Sequence, residues 1–304
     1  MAVKILTNNV NGLNNSAKRN NIMNFFQDIK YDIYCIQETH STDETAIEWA
    51  NEWKNKTNGT SIWNSGNSHK CGVAILFKKD IILKQTTTDK KGRILAVSLI
   101  FKKHKIRIIN IYAPNTYKNK ECFFKKLNKH AHNDDFLFLL GDFNMVENPN
   151  IDRQGGDQLN PNHIVGSKNL NLFKELHKVN DVFRTQFTHK QIFTYEKEDK
   201  TYRSRIDRIY ASSTNQKDCK CTFVKNNLSD HIAVLCKFKI QKTNERGPGY
   251  WHLNTNILDD KNFKIKLNTD FEKQKNKKYK YKNNNQWWDI VKSRIKTIAM
   301  ETKI

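Results

Sequence analysis

A chain of 304 residues with 37% hydrophobic content has room for one large domain or two small ones, under a surface crowded with polar side chains. Its 53 Lys and Arg against 31 Asp and Glu leave a net charge of +22, which bears on polyanionic partners such as nucleic acid and not on fold. No apolar stretch approaches a membrane span, no signal peptide is visible, and Cys35, Cys71, Cys122, Cys219, Cys221 and Cys236 lack zinc-site spacing. The expectation is a soluble, reduced, intracellular protein.

The first strand candidate, residues 3–10, runs into Thr7-Asn8-Asn9-Val10-Asn11-Gly12. Helical periodicity follows over 17–29, with Ile22, Phe25, Phe26 and Ile29 on one face. A second strand, 32–38, ends in Gln37-Glu38, and a strand-end carboxylate suits a hard cation such as Mg²⁺. After a helix at 46–54, the apolar runs 72–77 and 94–101 have no helix between them and are predicted to pair as antiparallel neighbours. The next strand, 106–112, closes on Tyr112-Ala113-Pro114-Asn115, and a helix is expected over 121–131.

Residues 136–143 form the most specific signal. This buried strand ends in Gly141-Asp142-Phe143-Asn144, where pleating puts Asp142 and Asn144 on one face. A helix at 167–177 precedes a hairpin at 194–203 and a strand at 204–211 that carries Arg205 and Asp207. Ser229-Asp230-His231 stands before the strand 232–238, where an imidazole titrating near neutral pH suits proton transfer. Each motif alone is an ordinary strand end. Together they offer the acids, amides and His that phosphodiester hydrolysis uses. The mixture of strands and helices predicts an α/β (α+β) fold of stacked sheets with outer helices.

Beyond residue 240 the character changes. Arg246-Gly247-Pro248-Gly249 signals a linker, and residues 241–304 carry 15 Lys and Arg against 7 Asp and Glu. Residues 276–285 should be solvated. A helix over 287–304 would align Trp288, Val291, Ile295 and Ile298, an apolar stripe without a core of its own that suggests a missing partner domain.

In their order, Asn9, Gln37-Glu38, Tyr112, Gly141-Asp142-Phe143-Asn144, Asp207 and Ser229-Asp230-His231 resemble the exonuclease–endonuclease–phosphatase superfamily. Asn9-Val10-Asn11-Gly12-Leu13, Cys35-Ile36-Gln37-Glu38-Thr39-His40 and Ile111-Tyr112-Ala113-Pro114-Asn115 are most similar to the apurinic-like endonucleases of non-LTR (LINE-type) retrotransposons. The resemblance implies a four-layer αββα sandwich over residues 1–240, with 241–304 as a basic extension toward a reverse transcriptase domain. It further implies a Mg²⁺-dependent (or Mn²⁺-dependent) nickase that leaves a 3′-OH to prime reverse transcription. Glu38, Asn9 and Asp230 would hold the metal, and Asp142 would orient or deprotonate water. Asn144 would hold the phosphate, Tyr112 would bond it or assist the leaving oxygen, and Asp207 would orient His231. Asn11, Asn115, Thr194, Arg205 and Ser229 would meet the substrate. The implied partners are double-stranded DNA, the reverse transcriptase domain of the same polyprotein and the element's RNA, at a nuclear site of action and with no membrane. The alternatives are an apurinic/apyrimidinic repair endonuclease and a non-catalytic nucleic-acid-binding module. Asn8 departs from the family's pattern, which often has an apolar residue there.

Overall fold

The computed structural model describes residues 2–78, 81–101, 103–131, 136–156, 167–212, 219–239, 253 and 255–302. Contacts divide the chain into two compact units, Met1–Gln241 and Lys242–Ile304.

In the first unit, β1 (Ala2–Asn9), α1 (Ser16–Ile29), β2 (Ile33–Gln37), α2 (Asp43–Thr57), β3 (Thr60–Asn64) and β4 (Val73–Phe77) come first. The chain continues through β5 (Ile82–Thr88), β6 (Ile94–Phe101), β7 (His104–Tyr112), α3 (Tyr117–Lys126) and β8 (Phe136–Asp142). Next come α4 (Pro149–Asp152), β9 (Arg153–Gly155), α5 (Lys168–His177), β10 (Val179–Asp181) and α6 (Val182–Gln186). The short β11 (Tyr195–Glu196) and β12 (Tyr202–Ser204) precede β13 (Asp207–Ser212), β14 (Cys219–Val224) and β15 (Ala233–Lys239). One six-stranded sheet has the order β14-β15-β1-β2-β4-β3, a second β10-β13-β8-β7-β6-β5, and β11-β12-β9 form a small third sheet.

Side-chain alternation explains the layers. Val3, Ile5, Ile33, Cys35, Val73 and Ile75 of the first sheet meet Leu95, Val97, Ile106, Ile108, Phe138 and Leu140 of the second. The opposite faces are equally apolar. Ile109, Ile111, Leu137 and Leu139 are covered by Phe123 and Phe124 of α3 and Leu170 and Phe173 of α5. Leu6, Tyr34, Ala74 and Leu76 are covered by Ile22, Met23 and Phe26 of α1 and Trp49 and Trp53 of α2. This is the expected αββα order of layers.

The runs 72–77 and 94–101 do not pair, contrary to expectation. β4 lies between β2 and β3 in the first sheet, whereas β6 lies between β5 and β7 in the second. The intervening β5 is an edge strand of largely exposed, polar sequence, Ile-Leu-Lys-Gln-Thr-Thr-Thr, so it lacks the apolar signal that marks a buried strand. The run 204–211 is also broken: Ser204 ends β12 in the small sheet, and Arg205 and Ile206 carry the chain across to β13. The helix expected over 121–131 ends at Lys126 and tightens into a 3₁₀ turn, Leu127–His130. The hairpin within 194–203 forms as β11 against β12.

In the second unit, α7 (Lys261–Asn276) and α8 (Asn284–Glu301) pack as a helical pair. The extension does have a small core of its own: Ile257, Phe263 and Ile298, flanked by Leu253, Leu267 and Ala299. α7 escaped the sequence reading because its apolar residues are few among lysines. The linker signal at 246–249 lies outside the described residues.

Candidate active site

Two parallel pairings build the site. β1 runs parallel to β2 with Asn9 opposite Gln37, and β7 runs parallel to β8 with Tyr112 opposite Asp142. Antiparallel β13 then sets Asp207 opposite Asp142. Tyr112, Asp142 and Asp207 therefore stand in one row across three adjacent strands, on the pleat shared with Phe138 and Leu140. Close packing of β7 on β8 requires Gly141: a Cβ there would lie 2.0 Å from the Ile111 carbonyl oxygen.

The first sheet supplies the facing groups. Asn9 Nδ2 donates to Glu38 Oε1 at 2.8 Å and to Asp142 Oδ2 at 3.0 Å, tying one carboxylate from each sheet. The Tyr112 hydroxyl also hydrogen-bonds Glu38. Below them, Gln37 Nε2 donates to Thr7 Oγ1 (2.9 Å) and to Asn110 Oδ1 (2.6 Å), and Asn110 Nδ2 donates to the carbonyls of Ile36 and Ala74, both at 3.0 Å. His231 Nδ1 lies 2.8 Å from Asp207 Oδ2, which leaves Nε2 for the cleft that His231 lines. Glu38 and Asn144 sit at φ +51° and +50°, left-handed conformations that non-glycine residues adopt at some cost and that cluster at functional sites.

The charges are strongly biased. Burial opposes ionisation of Glu38, yet the nearby His40 ring and hydrogen bonds from Asn9 and Tyr112 outweigh it and hold the carboxyl down at about 2. Burial, then the charge of Asp207, raises Asp142 well above the usual carboxylate range. Burial alone would lower His231, but the Asp207 contact and the charges of Asp142 and Asp230 push it up to about 10. The cleft thus combines an anionic Glu, a carboxyl poised to exchange a proton, and a cationic His.

Asp142, Asp207 and His231 each place one potential ligand atom within 4.8 Å of the others. The His231–Asp207 hydrogen bond already uses Nδ1, so this trio suits proton handling better than metal ligation. A divalent cation fits better near Glu38. Its carboxylate stays ionised, and the cleft it lines also holds the side-chain oxygens of Asp230, Asn11 and Asn144, hard donors of the kind such a cation takes. Asn9 offers its NH₂ between the two carboxylates while its Oδ1 accepts from the Asn11 N–H at 3.0 Å, so ligation through oxygen requires the amide to rotate.

The remaining expected residues separate into two groups. Asn11, Asn115, Asn144 and Asp230 line the cleft, and Asn11 Nδ2 donates to Asp230 Oδ1 at 3.2 Å. Thr194 and Ser229 are turned toward their neighbours: Thr194 Oγ1 accepts from the Ile206 and Asp207 N–H groups, both at 3.0 Å, and Ser229 Oγ donates to the Asn9 carbonyl at 2.7 Å. Arg205 is not brought to the cleft at all. Its guanidinium is 1% exposed and held by Asp152 (2.7 Å) and Asp181 (2.6 Å), so it braces the fold and offers nothing to a substrate. The unusual Asn8 is also structural, with Nδ2 donating to the His231 carbonyl at 3.4 Å and Oδ1 accepting from Asn226 at 3.2 Å.

Three groups near the site were missed by the sequence reading. His40 Nε2 approaches Glu38 Oε2 at 3.5 Å, and Arg93 lies 4.7 Å from the Tyr112 ring centre and donates to its carbonyl. Buried Lys120 donates to the Asn144 carbonyl at 2.5 Å. The expected helix began at 121 and left it out, although its spacing of three and four residues from Phe123 and Phe124 puts it on the buried face of α3.

Comparison with known proteins agrees with this arrangement. A curated relative, the "Transposon TX1 uncharacterized 149 kDa protein" of Xenopus laevis, is 28% identical over 310 residues, covering 99% of this chain and 23% of that protein. The chain thus spans about a quarter of the relative it matches. Among solved structures, an AP endonuclease from Archaeoglobus fulgidus aligns at a TM-score of 0.63 and 21% identity, over 78% of this chain and 100% of that one. The 3′ phosphatase NExo from Neisseria, bound to a product DNA hairpin, aligns at 0.62 and 22% identity, again over 78% and 100%. At these identities the likeness is one of fold. The model of the Endonuclease/Exonuclease/phosphatase family, however, matches residues 6–231, the span that carries every group gathered around Glu38 and His231, and this chain belongs to that family.

Proposed function

We propose that the first unit is a divalent-metal-dependent DNA endonuclease that nicks duplex DNA and leaves a 3′-OH. The observation that carries this reading is the Asn9 amide joined to Glu38 and Asp142 beside the Asp207–His231 pair. Glu38, with Asn9 and Asp230, would hold Mg²⁺ or Mn²⁺, which supplies charge neutralisation at the phosphate. Asp142 takes the proton of the attacking water, whose oxygen bonds to phosphorus as the P–O3′ bond breaks. Protonated His231 donates a hydrogen bond to a phosphate oxygen, and Asp207, itself held by Thr194, fixes the ring. Asn144 holds the phosphate, and Tyr112 hydrogen-bonds the departing 3′-oxygen, which takes a proton from solvent to become the 3′-OH. The likeness to a transposon protein over 99% of the chain supports use of the 3′-OH as a primer for a reverse transcriptase on the same polyprotein, at nuclear DNA.

Relaxation of supercoiled plasmid tests the chemistry. Asp142→Ala and His231→Ala should each lower nicking by a hundredfold to about ten-thousandfold, and EDTA should stop it. Polymerase extension from the nick should succeed without prior end repair. Near-wild-type nicking by either variant overturns the assignment. Strong preference for an abasic duplex over intact DNA favours a repair enzyme instead.

A further inference from the structure

The second unit has a feature that nicking does not use. From the last turn of α7 to the start of α8, residues 273–282 contain six lysines and no acidic residue. Lys273, Lys275, Lys277, Lys278, Lys280 and Lys282 are all exposed. Lys275 pairs with Glu272 at 3.5 Å, one helical turn away. Aromatic rings are interleaved with these cations. Lys278 Nζ lies 4.9 Å from the Trp287 ring centre and Lys280 Nζ 5.8 Å from that of Tyr279. Tyr279 is 80% exposed and Trp288 46%.

Specific contacts tie the tip to the helices. Trp287 donates its indole N–H to the Gln274 carbonyl at 3.0 Å, Phe271 and Trp288 flank it, and Arg294 bridges to Asp270 at 2.7 Å farther along the pair. A plain solvated turn between helices needs neither concentrated positive charge, which repels itself, nor large rings left in water. Both features suit a flexible polyanion with accessible bases. Lysines neutralise phosphates, and exposed rings stack on bases that a duplex keeps stacked within itself.

We infer that this tip binds single-stranded nucleic acid, with Lys277, Lys278 and Lys280 on phosphates and Tyr279 and Trp288 on bases. The inference stands whether or not the first unit cuts DNA.

Fluorescence anisotropy of the full chain in EDTA tests it, using labelled single strands of DNA and RNA, a blunt duplex and anionic vesicles. Replacing Lys277, Lys278 and Lys280 together by Gln should weaken single-strand binding about tenfold or more. The slope of log affinity against log salt should shrink by roughly 2 units. Tyr279→Ala with Trp288→Ala should weaken it about tenfold or more with the salt slope kept, whereas the triple Lys→Arg variant should bind as the parent does. Far-UV circular dichroism and plasmid nicking should match the parent throughout. Unchanged affinity in the Gln variant, equal losses on blunt duplex, or tighter binding to vesicles than to single strands would each overturn the proposal.

Discussion

Lys120 is the residue whose burial most needs a reason. Burial, partly offset by Asp142, lowers its ammonium to about 8, and its bond to the Asn144 carbonyl falls where the backbone is already left-handed. Lys120→Met would leave that carbonyl without its donor and let the Asp142–Asn144 turn relax. The expected result is a loss in kcat of ten- to about a hundredfold with little change in KM, and Lys120→Arg should restore most of it. Steady-state nicking assays on both variants decide, and unchanged kcat in the Met variant would show that the bond is incidental. The His231–Asp207 pair makes a separate prediction about stability. The folded-state value for His231, about 10, lies above its ordinary 6.5. The pair's stabilisation is therefore complete below about pH 6.5 and lost as pH rises through about 10. Urea melts of His231→Gln should accordingly show a deficit that shrinks across this range. A deficit of constant size would assign the effect to packing.

Among the elements, the crossing from β12 to β13 illustrates what a sequence conceals. Arg205 and Asp207 alternate in one apolar run, and period-two reasoning sends both to the same face. The chain instead changes sheets there, so Asp207 enters the row of Tyr112 and Asp142 while Arg205 turns to Asp152 and Asp181. Removing Arg205 strips Asp181 of its cation and leaves Asp152 with Arg184 alone, so Arg205→Ala should cost about 3–5 kcal/mol. Chemical denaturation measures that cost. Among molecules that remain folded, DNA affinity should be unaltered, and a selective loss of affinity would return Arg205 to the substrate. The groups at strand ends were legible because apolar runs announce β1, β2, β7 and β8 and pleating sets the face. The edge strand β5 was not, because its sequence is polar and pairing partners depend on contacts distant in the chain. The same limit misplaced the partner of β4.

For the molecule as a whole, the two units carry charge in different ways. The first concentrates buried acids and the imidazoles of His40 and His231 where its two large sheets end together. The second exposes lysines and rings on a helical pair. Neither division was visible in the net charge of +22, which sums over both.

The contact of Asn110 with Ile36 and Ala74 also has a geometrical consequence. It acts as a dowel driven through the seam of the sandwich, one step below the level at which Glu38 and Asp142 meet. Greasy layers slide easily over one another, whereas a primary amide saturated by two carbonyls from the facing layer cannot shift by one residue without leaving them dry. The alignment of groups borrowed from opposite halves of the sandwich is thus set by a side chain that never meets substrate, and chemistry can be lost through drift alone with every reacting residue intact.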